Sequence, residues 1–159
     1  MLKKITLVAA IAAIFLVAAA MAPSANAAPL DDACSLLTPA QVSAAVSVSV
    51  GAGEYQGTYK KTCTWNATSV VAKSAKYVTL MLEGLDAFQA GKLAPVKTIV
   101  VTSISGIGDD AYYLAVGPNV GLIVKKGNVA FKVAVYADLP IQKKQAMEKT
   151  LAQQVVSKL

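Results

Sequence analysis

The chain has 159 residues and a formal net charge of +6, carried by 15 lysines with no arginine and no histidine. Without histidine it lacks the usual general base of serine and cysteine hydrolases and the commonest transition-metal ligand. Without arginine it lacks the preferred fork for phosphate and guanine edges, and its lysines are scattered, so no nucleic-acid partner is expected.

Residues 1–27 read as a secretory signal peptide. Lys3 and Lys4 form a positive start, an uncharged apolar run ends at Ala22, and Ala25-Asn26-Ala27 is a small-x-small cleavage pattern. The run is short and Ala-rich for a bilayer span, so no stable membrane insertion is expected after cleavage. The expected location is the periplasm or the exterior. Roughly 130 residues then remain, enough for one core, and residues 31–159 are taken as a single domain. Cys34 and Cys63 are the two cysteines. In an oxidising compartment they are expected to pair, closing a loop worth roughly 3–4 kcal/mol in the chain-entropy model.

Thr38-Pro39-Ala40-Gln41 carries a capping box, with proline in the first turn, and opens a helix ending near Ser47. Gly51, Gly53 and Gly57 mark a flexible loop. Residues 62–67 form a strand with Cys63 and Trp65 on one face. Residues 77–83 form the next strand, 86–92 a short helix and 96–104 another strand. Three apolar strands follow at 111–116, 120–125 and 129–136, separated by the turn sequences Gly117-Pro118-Asn119 and Gly127-Asn128. In the last, Val129, Phe131, Val133 and Val135 share one face, which predicts an antiparallel meander with one well-buried side. After Pro140 a helix is expected to dock on the sheet through Leu151, Val155 and Leu159, with Lys144 and Glu148 spaced to pair. The fold class is α+β: an antiparallel sheet of about five to six strands, flanked by an N-terminal and a C-terminal helix.

The stretch Cys34-Ser35-Leu36-Leu37-Thr38-Pro39, then Cys63-Thr64-Trp65, then Gly106-Ile107-Gly108-Asp109-Asp110-Ala111-Tyr112 resembles a group of small exported bacterial domains of unknown function, common as actinobacterial lipoproteins. It is more distantly similar to the extracellular sensor domain of mycobacterial Ser/Thr kinases. The resemblance implies a helix-flanked antiparallel sheet with a structural disulfide, and it brings no catalytic residues. The lipid-attachment cysteine of the lipoproteins is missing here, because Cys34 follows Asp31-Asp32-Ala33.

Candidate functional residues are few. Adjacent Asp109 and Asp110 offer oxygen ligands to a cation, but two carboxylates fall well short of the six to eight oxygens calcium takes, so a structural turn is the better reading and neither metal nor cofactor is expected. Of six tyrosines, Tyr55 and Tyr59 lie where sheet packing does not explain them, and exposed tyrosine favours recognition. The expected function is a non-catalytic binding or envelope-associated module, for a small ligand or an envelope or protein partner. The alternative is an enzyme using Asp109 or Asp110 as acid, base or metal ligand. A Tyr-lined groove on the sheet would favour binding, and a cleft holding both aspartates with a third carboxylate would favour the enzyme.

Overall fold

A computed structural model of the chain describes residues 31–69, 74–93 and 96–159. The expected signal sequence lies outside these residues. Among them, no helix is long and apolar enough to cross a membrane.

The chain enters through a 3-10 turn, Ala33–Ser35, and then α1, Pro39–Val46. The predicted capping box is formed: Thr38 Oγ1 accepts the Gln41 amide at 3.2 Å, and Gln41 Oε1 accepts the Thr38 amide at 2.9 Å. Seven strands follow, interrupted by one helix. They are β1 Glu54–Tyr55, β2 Thr62–Asn66, β3 Ala75–Glu83, β4 Ile99–Ile104, β5 Asp110–Val116, β6 Asn119–Lys126 and β7 Val129–Ala137. Helix α2, Leu85–Lys92, lies between β3 and β4, and α3, Ile141–Val156, closes the chain. The strands form one sheet in the order β1-β2-β3-β7-β6-β5-β4, and every pairing is antiparallel. The fold is α+β, with seven strands rather than five to six.

The additional strand is β1. The segment around Gly51, Gly53 and Gly57 is not a free loop, because Glu54 and Tyr55 pair with Thr64 and Cys63. Gly53 explains the close approach. A Cβ there would lie 2.6 Å from Cys63 Sγ and 2.9 Å from Trp65 Nε1, so only a bare backbone fits over the disulfide and the indole. The Cys34–Cys63 disulfide is formed and ties the entry turn to β2.

Strand alternation divides the sheet into two faces. One carries Cys63, Trp65, Val78, Leu80, Leu122, Phe131 and Val133, all fully buried. Helices α1 and α3 cover it: α3 packs on β6, β7 and α1. Leu151, Ala152 and Val155 dock as expected, but Leu159 lies beyond the helix and is exposed. The opposite face is only half covered. Helix α2 lays Phe88 against Tyr112, Ile123 and Ala130, forming a second, smaller core over β5–β7. Both sides of β7 therefore bury side chains, where the sequence predicted one. No helix among the described residues covers the other half of this face, over β2, β3 and the end of β7, although neighbouring side chains bury Thr64 and Ala134 there.

Lys144 and Glu148 are both buried, yet they do not form the expected ion pair. Lys144 Nζ donates to the Pro118 carbonyl. Glu148 Oε1 accepts the Val135 amide at 3.0 Å. The paired residues of β6 and β7 end at Leu122 and Val133, so this carboxyl serves an amide that the ladder leaves behind.

Candidate functional site

The open half-face is built from alternate residues of adjacent strands. On β2 they are Thr62, Thr64 and Asn66; on β3, Tyr77 and Thr79; on β7, Tyr136. Register brings them together: Thr64 faces Thr79, Asn66 faces Tyr77, and Tyr77 faces Tyr136. The two tyrosine rings stack with centroids 4.3 Å apart at an interplanar angle of 18°. Beside them lies a shallow groove of about 420 Å³, floored by the threonines, Asn66 and the tyrosine pair and edged by Gln56. Two further depressions share Tyr136. One runs toward Asn119 and Lys132, the other toward Lys76, Asp138 and Lys144.

The polar groups of this groove are largely uncommitted to the fold. Neither the hydroxyls of Thr62 and Thr64 nor the side-chain amide of Gln56 hydrogen-bonds to another described residue. Asn66 Nδ2 reaches Glu54 Oε2 on β1 at 3.4 Å. Burial raises the Tyr136 hydroxyl above its ordinary pKa, the neighbouring Tyr77 adds to this, and the Thr79 hydroxyl works against it. The Tyr136 hydroxyl is therefore neutral at physiological pH, and the stacked pair presents ring edges and hydroxyls.

The other tyrosines are engaged elsewhere. Tyr112 and Tyr113 face opposite sides of β5. Tyr112 donates to the Phe88 carbonyl at 2.9 Å under α2, and Tyr113 to the Gln145 carbonyl at 2.9 Å on α3. Burial pushes both hydroxyls up to about 12. Tyr55 lies in β1 rather than a loop. Its hydroxyl donates to both carboxylate oxygens of Asp32, at 2.8 and 2.9 Å, and Lys60 Nζ sits 5.4 Å from its ring centre. That hydroxyl is the main reason the Asp32 carboxyl sits below the usual range. Tyr59 is exposed and lines none of the three depressions around Tyr136.

Asp109 and Asp110 lie at the start of β5, with four strands between it and β1, so they form no common site with Tyr55. The two carboxylates are also separately held. Asp109 Oδ2 accepts the Gly127 amide at 2.6 Å in the β6–β7 turn, and Oδ1 accepts from Lys126 Nζ at 3.1 Å. The Gly127 amide, then Lys126, lower the Asp109 pKa. Asp110 Oδ2 pairs with Lys92 Nζ at 2.5 Å, fastening the end of α2 to β5. No group of three histidine, cysteine, aspartate or glutamate side chains placed to hold a metal occurs among the described residues. The Gly106–Asp110 segment is a crossing point of two turns. Gly108 has φ +59°, and a Cβ there would meet the Lys125 carbonyl oxygen at 2.4 Å.

Sequence reasoning placed Tyr77 and Tyr136 in strands and assigned them to packing. A usable signal was present: both fall on the polar phase of their strands, as do Thr62, Thr64 and Thr79. Compared with protein-family models, curated proteins and solved structures, the chain matches none.

Proposed function

We propose that the protein is an exported module, periplasmic or secreted, that binds its ligand on the open half of the sheet and performs no covalent chemistry. One observation carries this: a stacked tyrosine pair framed by threonine, asparagine and glutamine side chains, among which the Thr62 and Thr64 hydroxyls and the Gln56 amide have no partner among the described residues. Core-forming strands do not ordinarily leave such groups unengaged, and recognition surfaces are where aromatic area combines with free donors and acceptors. The disulfide suits an oxidising compartment. The resemblance to small exported bacterial domains points the same way. Against the rival enzyme, Asp109 and Asp110 are each committed to a lysine, and among the described residues no third carboxylate joins them in a group placed to hold a metal.

The test is cosedimentation of the purified protein with envelope material from its source cell. Gln56→Lys and Tyr136→Ala should each reduce the bound fraction severalfold, while Asp109→Asn combined with Asp110→Asn should bind as wild type. The reverse pattern would move the site to the β5 end and restore the enzyme alternative. Binding that ignores all of these variants would remove the open face from consideration.

A further inference from the structure

We infer that the groove beside Tyr77 and Tyr136 takes a neutral saccharide chain, an assignment that rests on the open face being the binding surface. The first support is charge. Lysine supplies 15 of the 159 residues, and charged side chains line each of the other depressions described: Lys132 in one, Lys76, Asp138 and Lys144 in another, Asp31, Lys61 and Glu83 in a third. The groove itself is lined without a single charged residue. An anionic ligand such as a phosphate or a uronate finds no counter-charge there, and the lysines of the adjoining depression would draw it away.

The second support is the kind of neutral group present. All seven lining residues carry a hydroxyl or a carboxamide. An acyl chain laid in this groove would cover those polar atoms without pairing them, at a cost for each. A sugar offers hydroxyls that both donate and accept, matching threonine hydroxyls and the two-sided amides of Gln56 and Asn66. The C–H face of a pyranose ring also suits contact with the tyrosine rings. The third support is shape. The floor crosses β2, β3 and β7, two interstrand spacings of roughly 4.8 Å, with Gln56 extending it at the edge, and it is shallow and open. That geometry fits several linked sugar units lying along a surface better than one small molecule enclosed in a pocket.

The probes are neutral hexasaccharides of glucose, mannose, galactose and arabinose, with an oligogalacturonate as the charged comparison. They are titrated into the isotopically labelled protein and followed by amide shifts. At least one neutral chain should shift the amides of residues 62–66, 77–79 and 134–136, with an affinity indifferent to salt because no ion pair forms. Gln56→Lys, at an exposed edge position that does not threaten the fold, should weaken it about tenfold. Tyr136→Ala should do the same, and its dispersed spectrum verifies that the variant is folded. Failure of every neutral saccharide, while envelope binding still depends on Gln56, would overturn the ligand class and leave the binding face standing. The same holds if only oligogalacturonate binds, with salt weakening it, or if a peptide displaces the envelope. Saccharide shifts confined to the Asp109–Asp110 end would overturn the binding face as well.

Discussion

The two faces of the central strands are written by alternate residues of the same segments, yet they do opposite things. On β2, Cys63 and Trp65 are completely buried on the side where the entry turn packs, while Thr62 and Asn66 on the other side meet solvent. On β3, Val78 and Leu80 join that core, and Tyr77 and Thr79 face away. The helix-covered face is apolar and closed by a disulfide. The groove on the open face is lined by no charged residue and is rich in hydroxyls, and those of Thr62 and Thr64 have no partner among the described residues. A side chain on the first is held there by what burial contributes to stability; a threonine with an unpaired hydroxyl on the second is not. That difference separates the part of the molecule that makes it fold from the part proposed for recognition.

The largest effect that sharpens this contrast is Trp65→Ala. The indole is fully buried beside Gly53 and the disulfide, so its removal leaves a cavity that the covalent link prevents from collapsing. Loss of about 3–5 kcal/mol is expected from urea unfolding. A loss below about 1 kcal/mol would mean the covered face is not the stabilising one.

Cys63→Ala comes next. It removes the link between the entry turn and β2 and should cost about 2–5 kcal/mol. Alkylation without reduction should find no free thiol in the wild type. Two modified cysteines would break the comparison at its covalent root.

How much of this was legible in the sequence follows from range. The β5–β7 meander is written locally, in Gly117-Pro118-Asn119, Gly127-Asn128 and the alternation between them, and it appears nearly residue for residue. The α1 cap is also local, contained in four residues. Strand β1 escaped because two exposed residues carry no periodicity, and its existence depends on Gly53 sliding over Trp65. The tyrosine pair escaped for a different reason. Tyr77 and Tyr136 meet only through the β3–β7 register, between strands that α2 and the whole meander separate in sequence. Glu148 shows the same limit: its spacing from Lys144 suggested a pair, but its partner is a backbone amide on β7.

Glu148 supplies a third way to probe the covered face, through pH. Burial pushes its carboxyl up to about 8, with the Val135 amide and then Lys144 and Lys132 pulling back. The unfolded chain releases the same proton near about 4.3. Between those values the folded state holds a proton that the unfolded state has lost. The contribution is therefore complete below about pH 4 and declines as pH rises through about 8, by up to roughly 1.4 kcal/mol per unit. Glu148→Gln cannot ionise and should lose this slope. Urea midpoints of both proteins between about pH 5 and pH 8 measure it. Parallel curves would show that Glu148 is already ionised in the folded protein.

The smallest expected effect on stability is the most telling for function. Thr64 and Trp65 are neighbours in β2 that point to opposite sides of the sheet, and Thr64 is itself only 7% exposed. Thr64→Val keeps the β-branched shape and removes just the hydroxyl. If that hydroxyl has no partner in the folded chain, as the geometry has it, its loss strands no donor or acceptor. Valine also suits a strand at least as well. Stability should then stay within about 0.5 kcal/mol of wild type or rise slightly, because replacing an unpaired polar group by an apolar one of the same shape is near neutral. Binding at the open face should fall in the same variant, since the hydroxyl is one of the groups offered to a ligand. A destabilisation above about 1 kcal/mol would instead mean that the Thr64 hydroxyl is tied into the fold. In that case the open face would be scaffold like its counterpart, and the division of labour between the two sides of the sheet would not hold at β2.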